Sequence, residues 1–311
     1  MRGETQSPGA TGYGSPAKIG RSRIHGAGIV MARWKTVSIV GVGLIGASIG
    51  QALLRRRLAD DVIGIARRQT TLRAARRVNA VTHTTIDLAR GVAEADLVVV
   101  CTPVATIPEL VRRAAEHCPE GTLITDAGST KAAIVAALDN NLPRGCRFLG
   151  SHPLAGSEKT GPSYSDAELF EGRVTIITPT RNTRAEDFDA LEEFWTGLGS
   201  VVVRMSPEEH DEAIGMTSHF PHLVASLLAG MLPEQWFRFT GTGFLDTTRI
   251  AAGDIELWKQ IFMQNRLNVM KNCQALAQEL LRAAQALRDG NEKVVEEILT
   301  RGKKNRDALG G

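Results

Sequence analysis

Three glycines at the junction of a strand-like and a helix-like stretch constrain this chain more than any other feature. Residues 37–40 form a short apolar, β-branched run, the pattern of a buried strand. Gly41, Gly43 and Gly46 follow in the spacing G-x-G-x-x-G, and residues 44–54 continue with helical apolar spacing. On a strand-to-helix turn each glycine has its own use. Gly41 permits the tight turn, Gly43 lets a pyrophosphate approach the backbone, and Gly46 lets the helix pack closely on the strand. The N–H groups of the first helical turn, with Leu44 and Ile45, then face the phosphates, aided by the helix dipole. The stretch therefore reads as a dinucleotide site.

The sequence after it alternates between strand and helix signals. Residues 61–66, 97–101 and 122–126 read as strands, and residues 70–78, 104–116 and 129–138 as helices. This alternation predicts a doubly wound, Rossmann-type parallel α/β sheet. Ligands of such sheets bind beyond the carboxyl ends of the strands. Thr102-Pro103, Asp126-Ala127-Gly128-Ser129 and Ser151-His152-Pro153 are expected there, with Thr102 and Pro103 beside the cofactor.

The cofactor's ribose is read at the end of the second strand, where an NAD enzyme usually carries Asp or Glu. Here Ala66 is followed by Arg67 and Arg68. An acid would repel a 2′-phosphate, whereas two guanidiniums would bind it. The expectation is NADP as the preferred cofactor, with NAD as the alternative.

Composition narrows the remaining classes. Four basic residues and one acid lie in residues 1–30, so the net charge of +3 resides there; the rest holds 33 basic and 33 acidic residues. That balance gives no sign of a nucleic-acid or membrane partner. The four cysteines form no C-x-x-C pair, which fits a reducing compartment and a cytoplasmic location. Residues 1–33 are read as a disordered extension, with Met31 a candidate start.

Four further stretches make the reading specific: Gly150-Ser151-His152-Pro153-Leu154-Ala155-Gly156-Ser157-Glu158-Lys159-Thr160-Gly161, Asp126 to Lys131, Ser218-His219-Phe220-Pro221-His222, and Thr248-Arg249-Ile250-Ala251 followed by Trp258. With the glycine turn, they resemble the prephenate/arogenate dehydrogenase family, from about Trp34 to about Ala286. The resemblance implies oxidative decarboxylation of prephenate to 4-hydroxyphenylpyruvate, or of arogenate to tyrosine, in tyrosine biosynthesis. It places His152 as the catalytic base and implies a homodimer.

The residue types suit that chemistry. A hydride can leave C4 of a cyclohexadienol only as the C4 hydroxyl gives up its proton, and a neutral imidazole is a natural acceptor near pH 7. Ser129 is a second catalytic candidate, bridging substrate and imidazole; its rival role is a helix N-cap. Lys131 reads as either functional or a surface lysine. Glu158 matches an acidic position resembling the family's entrance gate. Arg249 is the expected anchor for a substrate carboxylate, which its planar fork binds bidentately.

Strand signals also cover residues 173–178 and 201–204, with a helix at 187–197 between them. They then stop, and long helices are expected at 207–232, 254–288 and 291–304. This predicts a dinucleotide-binding domain over 34–204 and a helical substrate and dimerisation domain over 205–311, too short after its last helix for an appended domain. Ser218 and His222 are expected on one helix face, with His219 at its edge and Pro221 bending the helix. The resemblance makes all three polar residues candidate substrate contacts, and no metal site is expected. The segment 213–232 is apolar around most of its girth, so it must be buried on several sides, as across a dimer. An acid near the side-chain end would favour arogenate's ammonium, and Asp211 or Asp246 could serve. Two rivals remain: another NADP dehydrogenase of the β-hydroxyacid or imine-reductase type, and a non-catalytic NADP-sensing protein. The Ser151-His152-Pro153 and Thr248-Arg249 elements argue against the first, and the second has no need of Ser129, His152 and Arg249 together.

Overall fold

In a computed structural model, residues 34–139, 142–157 and 159–310 are described. The expected extension over 1–33 and Glu158 lie outside them. The first half runs β1 (Trp34–Val40), α1 (Leu44–Arg55), β2 (Ala59–Ile65), α2 (Gln69–Arg77), β3 (His83–Thr85), α3 (Leu88–Val92), β4 (Leu97–Val100), α4 (Ile107–Ala115), β5 (Leu123–Asp126), α5 (Ala132–Leu138) and β6 (Arg147–Phe148). The six strands form one parallel sheet in the order β3-β2-β1-β4-β5-β6. This is the doubly wound sheet expected from the alternation.

The sheet is buried on both faces, which is why its strands read as unbroken apolar runs. In β4, Leu97 and Val99 point into one core and Val98 and Val100 into the other, and all four are fully buried. The first core is closed by α1 and by α6 (Ala185–Gly197), through Leu191, Phe194 and Trp195. The second is closed by α4 and α5, through Ile107, Val111, Ile134 and Leu138.

After β6 the chain leaves the parallel sheet, which the alternation had not indicated. β7 (Gly150–Pro153), β8 (Val174–Thr178) and β9 (Val201–Arg204) form a second, three-stranded sheet. β7 runs antiparallel to β8, and β9 parallel to it. Ser151 fastens the new strand: its hydroxyl bonds the Asp126 carbonyl at 2.6 Å and accepts the buried Trp195 indole N–H at 3.0 Å. His152 thus lies inside a short paired strand, opposite Ile176, and not beyond the end of a parallel one.

The helical half starts cleanly. Ser206 caps α7 (Pro207–Ile214) with a complete capping box to Glu209 and proline in the first turn. The expected single helix over 207–232 is instead α7, a π-helical stretch (Gly215–His219) and α8 (Phe220–Gly230). The π-helical stretch ends two residues before Pro221, which sits in the first turn of α8, where its missing N–H costs little. Short helical turns at Glu234–Phe239 and Arg249–Ala252 flank α9 (Thr242–Thr248), a region the sequence reading left unassigned. The expected helix 254–288 is α10 (Ile255–Gln264) and α11 (Arg266–Arg288), broken at the buried Asn265; α12 (Glu292–Ala308) follows. No helix among the described residues is long and apolar enough to cross a membrane.

Candidate active site

The glycine turn has the backbone its sequence demands. Gly41 adopts φ +99°, a left-handed conformation that side chains disfavour, and a Cβ there would lie 2.6 Å from the Cys101 carbonyl oxygen. A Cβ on Gly46 would lie 2.2 Å from the Gly41 carbonyl oxygen, so α1 packs here only because the position is bare. A Cβ on Gly43, the N-cap of α1, would meet no protein atom within 4 Å. Nothing in the protein requires glycine at Gly43; a phosphate group approaching the helix N-terminus through Leu44 and Ile45 would. The residues present therefore fit a dinucleotide. Arg67 and Arg68 stand exposed at the β2–α2 turn, where Arg68 is the N-cap of α2. Neither pairs with a carboxylate among the described residues. Thr102, half-buried, and Pro103, exposed, follow β4 beside the turn, and the Thr102 methyl lies 2.9 Å from a Cβ built on Gly41.

The stretch after β7 comes back to this turn: a Cβ on Gly156 would lie 3.6 Å from Ile45. His152 itself is buried, with 9% of its surface exposed. Its Nδ1 lies 2.9 Å from Nε2 of His210, and His210 Nδ1 lies 2.9 Å from Oδ1 of Asp211. Asp211 in turn accepts the main-chain N–H groups of Lys131 at 2.7 Å and Ala132 at 3.0 Å, capping α5 from outside. Burial holds the His152 pKa well below the ordinary histidine value, with His210, Lys131 and His219 adding positive potential. At neutral pH the imidazole is therefore uncharged and able to accept a proton.

Lys131 is not a surface residue. It is fully buried; its ammonium donates to the Asp126 carboxylate and, at 3.0 Å, to the Ser151 carbonyl. Burial pushes its pKa down, opposed by Asp126. Asp126 also accepts the N–H groups of Gly128 at 2.9 Å and Ser151 at 3.2 Å, so one carboxylate fixes the loop after β5 and the strand holding His152. Ser129 is half-buried in that loop. It is not the N-cap of α5, which starts three residues later, so the capping role considered for it is not the one it has.

His219 and His222 come together and Ser218 does not. The i→i+5 pattern of the π-helical turn widens the spiral, so residues four apart no longer stack on one face. His219 and His222 are buried, whereas Ser218 is exposed. Asn265 donates to the Asp211 carbonyl at 2.7 Å and contacts His219 Nδ1 at 3.0 Å, which assigns the His219 proton to Nε2. That N–H has no hydrogen-bond partner among the described residues, and the ring lies against the Ser129 main chain. Burial pushes the His219 pKa down to about 4. His222 stacks on Trp258 with centroids 3.5 Å apart, so this tryptophan packs. Arg249 opens the turn that leads to Gly253, whose built Cβ would lie 2.9 Å from His222 Cε1. Arg249 is exposed.

Asp211 is committed to His210 and to α5, so it does not serve as the partner for an amino group considered from sequence. Sequence reasoning missed His210 altogether. Its one signal was a histidine beside an acid in a well-capped helix start, at Ser206 to Asp211. Among the described residues no group of three or more His, Cys, Asp or Glu could hold a metal ion.

Comparison with known proteins now bears on this geometry. Residues 49–204 match the family model of the prephenate dehydrogenase nucleotide-binding domain, and residues 206–301 that of the prephenate dehydrogenase dimerization domain. The chain belongs to the prephenate dehydrogenase family. It is 32% identical to a cyclohexadienyl dehydrogenase of Zymomonas mobilis over 84% of this chain and 92% of that protein. The crystal structure of prephenate dehydrogenase from Aquifex aeolicus, in complex with hydroxyphenyl propionate and NAD+, superposes with a TM-score of 0.81 at 33% identity, covering 88% of this chain and 98% of that one. A Synechocystis arogenate dehydrogenase gives a TM-score of 0.73 at 26% identity over 88% and 99%.

Proposed function

We infer that the chain carries out the oxidative decarboxylation of its family, taking prephenate, or arogenate, to the corresponding phenol with NAD(P) in tyrosine biosynthesis. The observation that carries this reading is a buried, uncharged His152 on a strand whose following loop reaches a Gly-rich turn shaped for a dinucleotide. Residues 34–204 are proposed to hold the cofactor, through Gly41, Gly43, Leu44, Ile45, Gly46, Thr102 and Pro103. Arg67 and Arg68 favour NADP. When bound, the nicotinamide supplies the acceptor for the C4 hydride. His152 takes the C4 hydroxyl proton through Nε2 as C4 is oxidised. Loss of the ring carboxylate as CO2 then aromatises the ring, and the imidazolium returns the proton to the phenolate oxygen. Ser129 and His219 line the same loop cluster and are proposed to orient the reacting oxygen. Arg249 anchors a substrate carboxylate, with His222, Ser218 and Glu158 as further substrate contacts.

Residues 205–311 are proposed to form a homodimer. The helical half exposes Leu227, Met231, Trp236, Phe239, Leu281 and Leu287, each by more than half, more apolar surface than a monomeric protein usually shows to water. Sedimentation at micromolar concentration should give twice the chain mass. Reduction of NADP and NAD by the full chain, assayed with prephenate and with arogenate in parallel, tests the reaction. Turnover of either substrate supports it, and failure with both under conditions where cofactor binds refutes it.

A further inference from the structure

A histidine acts as a base through whichever ring nitrogen lacks a proton, so its partner's hydrogen-bonding sense decides where the chemistry occurs. Here that sense is set two hydrogen bonds away. Asp211 accepts main-chain N–H groups at both oxygens and so presents an acceptor to His210. His210 Nδ1, 2.9 Å away, must then carry the proton. His210 is fully buried, and burial pushes its pKa down, so the ring is uncharged and has only one N–H. Its Nε2 is left as an acceptor, and His152 Nδ1, at 2.9 Å, must be the donor. The consequence is that His152 keeps its lone pair on Nε2.

We propose that His210 and Asp211 are positioning residues that lock His152 in the Nδ1–H tautomer and take up part of the charge when Nε2 accepts the substrate proton. This rests on the reaction proposed above. The second half of the role follows from the surroundings of His152. Burial, Lys131 and His219 all oppose an imidazolium there. Asp126, the nearest negative group to Lys131, is already paired with it. The Asp211 carboxylate is reached through His210, and a shift of the shared proton from His152 Nδ1 to His210 Nε2 moves positive charge next to it. No bond other than those N–H bonds changes, and the proton returns by the same path when the phenolate is reprotonated.

The arrangement also couples the two halves of the molecule. His210 and Asp211 belong to α7, His152 to β7, and the carboxylate is pinned by the loop that carries Ser129. The start of the helical half therefore sets the protonation pattern of a residue in the other half. Asn265, at the break between α10 and α11, supports the same corner by donating to the Asp211 carbonyl.

The test is ring ¹⁵N NMR of the full chain labelled at histidine, at pH 7.5 and without substrate, with His152→Asn used to assign the signal. The expected spectrum shows His152 protonated at Nδ1 and bare at Nε2. His210→Leu should redistribute that proton to Nε2, and His210→Gln, whose amide oxygen reaches the same place, should restore the Nδ1–H form. In parallel, His210→Leu should lower kcat at least 100-fold with unchanged cofactor affinity, and His210→Gln should recover tenfold or more of the loss. A wild-type His152 protonated at Nε2, or a His210→Leu enzyme with normal kcat, overturns the proposal. If His210→Leu fails to fold, the wild-type spectrum decides alone. Because the tautomer is read without turnover, a wrong reaction and a wrong relay give different results.

Discussion

His152 and Arg249, on which the proposed chemistry turns, stand in opposite surroundings. His152 is buried, and a continuous chain of hydrogen bonds runs from it through His210 and Asp211 to the start of α5. Arg249 is exposed on a four-residue turn in a region whose neighbours leave large apolar side chains in solvent. The group that moves a proton is oriented within one chain. The group proposed to grip the substrate lies where burial is incomplete in one chain, on the face proposed to meet a second copy. Preorganisation is concentrated where misplacement is most costly to rate, and the proposed binding side stands in contact with solvent.

The largest effect should come from the oriented side. His152→Asn removes the base and should lower kcat by about 10²–10⁴, with cofactor affinity retained by isothermal titration. Near-normal turnover would show that the network around His152 is only structural. Nearly as large, but on stability, should be Lys131→Met. It strands the buried Asp126 carboxylate, at a cost of about 3–5 kcal/mol. The exposed pair of Lys271 with Glu212 supplies the contrast: Lys271→Met should change urea stability by less than about 1 kcal/mol. Equal losses for the two variants would erase the distinction between the regions.

The same burial gives a pH signature. His152, His210, His219 and His222 all have pKa values held below 6.5, chiefly by burial. Each folded-state value is lower than in the unfolded chain, so the neutral form favours folding. That stability is complete above about pH 6.5 and is lost as pH falls toward 4. For His219 alone, with its pKa near 4, the loss approaches roughly 3 kcal/mol. Thermal unfolding between pH 8 and pH 4.5 should show a falling Tm with no loss on the alkaline side. By the same sign, kcat/KM should hold to below pH 6.5 before an acid limb appears.

How much of this was legible in the sequence also differs between the two regions. The parallel sheet follows from residues that fix backbone and burial locally. Gly41, Gly46 and the unbroken run Leu97–Val100 each read correctly because their immediate neighbours decide them. Lys131 read ambiguously because only a partner five residues away, folded back beneath β7, makes burial tolerable for a lysine. His210 was invisible because its meaning lies in a contact 58 residues away in sequence. Ser218 and His222 were set on one face by assuming a regular helix, and the π-helical turn at Gly215–His219 overrides that periodicity. The turn packs closely on distant residues: a Cβ on Gly215 would lie 3.1 Å from Asn265 and from Asn268. Such packing leaves no periodic trace.

On the exposed side the effects should be smaller and should fall on binding. Arg249→Ala should weaken kcat/KM by about 1.5–3 kcal/mol, mainly through KM. A fall in kcat of the same size, with KM unchanged, would place Arg249 among the groups that act in the transition state. The two residues would then no longer divide binding from chemistry.

The smallest effect should come from the other exposed cations, Arg67 and Arg68, which are proposed to meet the cofactor from solvent. No acid stands at the end of β2, and Ala66 leaves the ribose position neutral. The proposed discrimination for NADP therefore rests on two guanidiniums in solvent, where screening reduces each contribution. Arg67→Ala and Arg68→Ala together should lower the ratio of kcat/KM for NADP over NAD by about tenfold, equivalent to about 1.4 kcal/mol, and should leave activity with NAD unaltered. The effect should shrink further at high salt, as it should not for His152→Asn, whose partners are buried. A wild-type ratio below one would remove the NADP assignment while leaving the His152 chemistry intact, because the two rest on different residues.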